Sequence, residues 1–298
     1  MNKSMRAKCR DLALIAMMIL PFVFGIILKI LTKGPSEGIS ITGAQVYFTI
    51  PMPLMNLPIT ESQVNSALVI ISLLGLCLYL TRDLKVVPTS KRQHIAEMIV
   101  EKVQGLVDEN MGPRFAGYAP FVAAIMGLSA FSSLACLVGL YSPTSDLNIV
   151  AGWAILVFIL ITYYKLQGGL LNYLKGYIEP VPLFLPCNII GEFATPISMS
   201  FRHYGNVLSG AVISTLVAYA LQNLSGMLLG WLPGILGDFP FLQIGLPAIL
   251  SMYFDIFSGL MQAFIFAMLT MLNIALNFPE EEYERRKAKR RNKALHTA

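Results

Sequence analysis

Charge is what this chain of 298 residues has least of. Only 13% of its residues are Asp, Glu, Lys or Arg, against roughly 25% in a soluble domain. That excludes a fold covered on all sides by water. Cysteine is scarce too. Cys9, Cys77, Cys136 and Cys187 stand far apart without CxxC or zinc-ligand spacing, so they read as small buried hydrophobes, and neither a disulfide nor a metal site is expected. There is no Walker motif, HExxH, GxSxG or internal repeat. Nothing therefore points to soluble catalysis or to a cofactor. Basic residues are missing from 34–64, 141–149 and 223–240.

What is present is apolar sequence in long runs. The chain is 55% hydrophobic, with a mean hydropathy of +0.64. Several runs reach the roughly 20 residues that cross a bilayer as a helix. They lack the strict alternation of a barrel strand. The expected fold is an all-α polytopic membrane protein with about six transmembrane helices and one amphipathic interfacial helix. Spans are expected at 11–32, 64–81, 117–141 and 148–165. Two longer helical regions follow, at about 187–222 and 243–277, and tilt accommodates their excess length. The 11–32 segment has the basic start of a signal peptide. Its apolar run is longer, and no small-residue cleavage site follows, so a retained helix is expected. Pro35 to Thr60 reads as an outer loop. Between spans, Ile95, Met98, Ile99, Val103, Leu106 and Val107 recur at helical spacing, with Arg92, Glu97, Glu101, Lys102 and Asp108 on other faces. This 90–111 helix should lie at the interface.

The basic residues that do occur are concentrated. Lys3, Arg6, Lys8 and Arg10 open the chain; Arg82, Lys85, Lys91, Arg92, Lys102 and Arg114 fall within 82–114; seven Lys and Arg lie between Arg285 and Lys293. The positive-inside rule puts these three regions, and both termini, on the cytoplasmic side. That rule accounts for the basic tail without a nucleic-acid partner.

Against this background one residue stands out. From Val181 to Phe278 the only formal charges are Glu192, Arg202, Asp238 and Asp255. An arginine at bilayer depth costs roughly 2.5–3.5 kcal/mol on insertion scales and stays charged at physiological pH. Thr195, Ser198, Asn206 and Ser209 fall three to four residues apart on either side of it, making a polar stripe. Ser251, Asp255, Gly259, Gln262 and Asn273 make a second stripe in the last region. Such stripes suit a route for water or ions. Structural roles compete for several of these residues. Ser and Thr can bond their own helix, Asn and Gln can join helices, and Arg202 and Asp255 can form a buried ion pair. Glu192 complements a helix dipole. His203, about 100° round from Arg202, suits packing or a helix–helix hydrogen bond more than proton transfer. Asp146 suits a turn or an N-cap, and Asp238 a solvated loop.

Pro196-Ile197-Ser198-Met199-Ser200-Phe201-Arg202-His203-Tyr204-Gly205-Asn206 resembles the signature of subunit a of the F-type ATP synthase, P-[IVL]-S-L-x-L-R-L-F-G-N. Asp255 to Phe266 resembles that family's last-helix motif, in which an acid stands seven residues before Gln-Ala. Pro143-Thr144-Ser145-Asp146-Leu147-Asn148 is similar to its PTADxN turn. The resemblance covers roughly 64–278. It divides the chain into an additional first helix and outer loop (1–63), an ion-channel domain (64–278) and a charged cytoplasmic tail (279–298).

The resemblance implies a non-catalytic stator subunit in the cell inner (plasma) membrane, beside an oligomeric c-ring, the peripheral-stalk subunit b, other ATP synthase subunits and lipid. In such a subunit an arginine separates two half-channels, so that proton or sodium flow drives rotation. Arg202 takes that role. Asp255, Gln262 and Asn206 fall to the outer path, and Glu192 and Ser198 to the cytoplasmic one. The sequence departs from the family at His203-Tyr204, where Leu-Phe is usual. It departs again at Ala211, where some bacterial members carry glutamate; the outer carboxylate role then rests on Asp255. A secondary transporter with a mid-membrane Arg/Asp site is the rival reading. It predicts paired broken helices in two repeats, which the sequence lacks.

Overall fold

A computed structural model describes residues 3–32, 43–53, 56–87, 90–178, 181–229, 242 and 245–297. The loop with Pro233, Asp238 and Pro240 lies outside the described residues, as does the side chain of Ser251. Six helical segments among the described residues are long and apolar enough to cross a membrane: Lys8–Thr32, Glu61–Leu80, Pro113–Val138, Leu147–Gln167, Pro182–Leu228 and Met252–Leu276. The fold is all-α and polytopic, as composition requires.

The first helix, α1 (Lys3–Thr32), runs against α2 (Glu61–Leu80). Gly75 lets them meet: a Cβ there would stand 3.1 Å from the backbone nitrogen of Met18. Ser72 Oγ donates to the Met18 carbonyl at 2.7 Å. Asp11 of α1 pairs with Arg82, just beyond α2, and with Arg92 at 3.1 Å. Between these helices the expected outer loop contains a small hairpin. Strand β1 (Val46–Ile50) pairs antiparallel with β2 (Leu57–Thr60), Thr49 opposite Pro58. A two-stranded ribbon has only edges, so it tolerates Pro58, which has no N–H to donate.

The amphipathic helix α3 (Lys91–Met111) begins at Ser90, whose side chain accepts from Gln93 N at 3.2 Å, and stops at Gly112 with φ of 83°. Its C-terminal half is docked, with Val107 and Met111 buried, while Met98, Ile99 and Val100 stay exposed. Helices α4 (Ala119–Leu134) and α5 (Leu147–Gln167) follow. A break at Gly168 and Gly169, the latter with φ of 114°, leads into a short helix, α6 (Leu170–Ile178). No helix is assigned there from the sequence alone, although Leu170, Leu171, Leu174 and Ile178 recur at helical spacing. The long helix α7 (Leu185–Leu229) has 45 residues, about 68 Å at 1.5 Å per residue. That is roughly twice the hydrocarbon thickness, so it must cross at a tilt or project beyond the membrane.

The last span is not one uniform helix. A short α8 (Leu246–Ser251) passes into a π-helical stretch, Met252–Ser258, and then into α9 (Gly259–Leu276). Helix α9 is the pillar of the core. Its Phe266, Ala267, Met271 and Ile274 pack among Val107 and Met111 of α3, Val122 and Ile125 of α4, Val157 and Ile161 of α5, and Met199 of α7. The charged tail is helical as α10 (Glu280–Thr297), with Glu280, Glu281 and Glu282 in its first turn, where acids favour the helix dipole. It is tied back by Arg114, which reaches Glu280 at 3.4 Å and Glu284 at 2.6 Å.

Candidate functional site

Helix α7 presents two different faces. Met199, Ser200, His203 and Gly210 are buried against the rest of the chain. Ser198, Arg202 and Ser209 are exposed, and apolar Ile197, Phe201 and Ile213 are exposed beside them. Among the described residues Arg202 forms no hydrogen bond or ion pair, and Asp255 forms none either. The two do not pair with each other, so the ion-pair alternative falls away. A guanidinium with five donors faces outward from a span among large apolar side chains.

The stripe does not run straight. Asn206, one turn from Arg202, turns toward the π-helical segment: its Nδ2 donates to Ser258 Oγ at 2.7 Å, and Ser258 Oγ donates to its Oδ1 at 3.0 Å. Helix α7 approaches that segment through Gly210, where a Cβ would lie 2.9 Å from Phe254. On the far side of the last span, a Cβ at Gly259 would stand 2.6 Å from that of Ser133. Small residues thus set how close the Arg202 helix, the Asp255 segment and α4 come. Gln262 is buried and Asp255 half-buried. Asn273 bonds back to the Leu269 carbonyl at 2.8 Å.

His203 is fully buried. Its Nε2 lies 3.3 Å from Ser129 Oγ, and its ring meets Trp153 and Phe266 edge-on. Its Nδ1 has no hydrogen-bond partner among the described residues. The imidazole therefore braces α7 from behind Arg202 and does not share the arginine's face.

Glu192 lies elsewhere, beside a cavity of about 510 Å³ whose walls include Lys165, Asn172, Asn188, Thr195 and Asn277. Its Oε1 accepts from Lys165 Nζ at 3.1 Å and from Tyr173 OH at 3.1 Å; its Oε2 accepts from Tyr177 OH. Burial, and for Tyr177 also its bond to Glu192, pushes both phenols above the ordinary tyrosine range, so they stay protonated donors. Thr195 is seven residues from Arg202, about 10 Å along the helix axis. Pro196 removes the donor that would otherwise reach the Glu192 carbonyl.

Asp146 caps α5 by accepting from Asn148 N at 3.0 Å, and it also accepts from Ser62 Oγ. It sits at the hairpin end of the bundle, among buried Ser62, Asn65 and Thr144. The partners that sequence reasoning missed, Lys165, Tyr173, Tyr177, Ser258 and Ser129, all lie on other elements. Only Lys165 carried a signal, as a charge at the end of a span.

Residues 63–275 match the sequence model of the family described as ATP synthase A chain. The chain is 26% identical to ATP synthase subunit a, sodium ion specific, of Propionigenium modestum, over 82% of this chain and 88% of that protein. It is 32% identical to ATP synthase subunit a of Bacillus pumilus, over 67% of this chain and 84% of that protein. With the Alkalihalophilus pseudofirmus ATP synthase subunit a the identity is 36%, over 65% of this chain and 82% of that protein.

Proposed function

The chain belongs to the ATP synthase A chain family, and from that premise we propose how its residues carry ions. It is the ion-translocating, non-catalytic stator subunit of a rotary ATP synthase, embedded in the membrane by several spans and coupling ion flow to ATP synthesis. Residues 64–278 form the ion-conducting unit, with 1–63 as an additional anchor and 279–298 as a cytoplasmic tail. Both termini face the cytoplasm. Arg202 separates two half-channels. The exposed stripe around it meets the c-ring, subunit b and lipid cover other faces, and the ion is a proton or a sodium ion.

The observation that carries this reading is Arg202, exposed on α7 and without a hydrogen bond or ion pair among the described residues. Left against lipid, it would cost roughly 2.5–3.5 kcal/mol. A partner carboxylate would remove most of that cost. The same charge lowers the pKa of a carboxylate that comes opposite it, while burial raises it again once the carboxylate has passed. A ring carboxylate therefore gives up its ion at Arg202 and takes one up beyond it. Asp255, Gln262 and Asn206 supply polar groups for the outer path. Glu192 and Ser198 supply them for the cytoplasmic path, which the cavity beside Glu192 supports. Moving one charge through 100 mV is worth about 2.3 kcal/mol, so several steps sum to a useful torque.

Replacing Arg202 with Ala in the assembled synthase tests the assignment. ATP hydrolysis by the soluble head should persist while ion pumping and ATP synthesis are lost. Normal synthesis in Arg202→Ala would reject the role.

A further inference from the structure

Lys165 is the least expected feature of the cavity beside Glu192. A lysine in the last turn of α5 has a ready explanation in the helix dipole and the basic end of the bundle. Neither explains why its ammonium turns inward, to 3.1 Å from a carboxylate whose side chain is only 7% exposed. Around that carboxylate the cavity is lined by further neutral polar side chains, the hydroxyl-bearing Tyr173, Tyr177 and Thr195 and the amide Asn277. One carboxylate among several neutral oxygens is what a hard monovalent cation such as Na⁺ binds. The cation position is already taken by a tethered ammonium. Glu282, at the cavity wall, is the other acid that faces it, and the Arg286 guanidinium packs near it, against Gly169.

We propose that Lys165 is a specificity-determining residue: its ammonium fills the cation site at Glu192 and keeps Na⁺ from lodging in the cavity, so that this path serves protons. This rests on the cavity being the cytoplasmic access path. With the ammonium 3.1 Å from Glu192 Oε1, a Na⁺ at the same carboxylate would lie close to a like charge away from bulk water, and it would bind less tightly for that repulsion. Protons pass between hydroxyls and water one hop at a time and need no such vacant position.

The test uses the whole synthase in inverted membrane vesicles, with ATP-driven acidification read by a pH-sensitive dye while NaCl replaces choline chloride. Unmodified vesicles should acidify equally at every Na⁺ level. Lys165→Met, and Lys165→Gln as a second variant that fills the space with an amide, should lose acidification several-fold as Na⁺ rises. Lys165→Arg should stay insensitive. The double variant Lys165→Met with Glu192→Gln loses a carboxylate of the path and should acidify more slowly, but whatever acidification remains should not depend on Na⁺, because no carboxylate is left to hold the ion. Uptake of ²²Na⁺ by unmodified vesicles, or Na⁺ indifference in both Lys165→Met and Lys165→Gln, would overturn the proposal. Arg202→Ala in the same assay separates the two levels. If it still acidifies, the stator reading itself fails. If it is silent while the Lys165 variants ignore Na⁺, only the selectivity role fails.

Discussion

Replacing Gly210 with Ala adds one methyl group, yet it should disturb both the packing of α7 and the placement of Asp255. The new Cβ would stand 2.9 Å from Cγ and Cδ1 of Phe254 and 3.0 Å from its Cβ. Ordinary carbon contacts lie at about 3.5–4.0 Å, so the two segments must part by roughly half an ångström. Phe254 cannot swing clear from its tip, because the crowded atoms lie at the root of its side chain and its ring meets Tyr253 at 5.2 Å. The backbone has to yield, one residue from Asp255 and four from Ser258. Overpacking of this kind costs about 1–3 kcal/mol. The paired Asn206–Ser258 bonds, at 2.7 and 3.0 Å, would stretch and lose about 0.6 kcal/mol each. Together these give roughly 2–4 kcal/mol. Gly210→Ala should lower the temperature at which the subunit leaves the solubilised synthase and should reduce ATP-driven ion pumping. Phe254→Leu should restore part of both, with a coupling energy of about 0.5–3 kcal/mol in the double-mutant cycle. A Gly210→Ala synthase as stable and active as the original would refute the reasoning. So would a double variant whose losses simply add.

Two further outcomes follow from other contacts. Gly75→Ile pushes a branched side chain into the backbone of α1, where a Cβ alone comes within 3.1 Å of Met18 N, at a cost of about 1–3 kcal/mol. A disulfide between cysteines placed at 18 and 72 should form in the parent and disappear with Gly75→Ile, and its persistence would show that the helices tolerate the insertion. Ser129→Ala removes the one hydrogen-bond partner that His203 has among the described residues and should destabilise the assembled complex by about 1–3 kcal/mol. Adding His203→Leu, which deletes the orphaned nitrogens, should recover most of that in thermal inactivation, and a double variant worse than Ser129→Ala alone would exclude an orphaned imidazole as the cause.

Local periodicity made parts of this protein legible and left others out of reach. The spans follow from apolar length, and the face of α7 that carries Ser198, Arg202 and Ser209 follows from helical spacing. Both depend only on residues close in sequence. The setting of Glu192 depends on Lys165, Tyr173 and Tyr177, which lie 27, 19 and 15 residues upstream, on α5 and α6 rather than on α7. No helical spacing rule links positions on separate helices. Helix α6 escaped notice because nine residues are too few for a span. Its apolar Leu170, Leu171 and Leu174 point outward while Tyr173 and Tyr177 reach the cavity, so its amphipathic spacing is legible in the sequence but its link to Glu192 is not. The hairpin was obscured by Pro58, which counts against a strand except at an edge.

The π-helical stretch Met252–Ser258 matters most for the site, because it breaks the spacing on which the second polar stripe was read. In a regular helix Asp255 and Gln262, seven residues apart, share one face. A π turn takes up an extra residue, which rotates everything before it by about 100° relative to α9. Gln262 is accordingly buried with the core, while Asp255 is only half-buried and forms neither ion pair nor hydrogen bond among the described residues. The same widening lets Ser258 reach Asn206 without pulling the carboxylate in with it. A uniform α-helix would leave this span two poor options: burying Asp255 in the apolar core that Phe266, Met271 and Ile274 demand, or turning those three away from it. By changing helical pitch at Ser258, one span serves both as the pillar of the bundle and as the carrier of an unpaired acid beside the Arg202 helix.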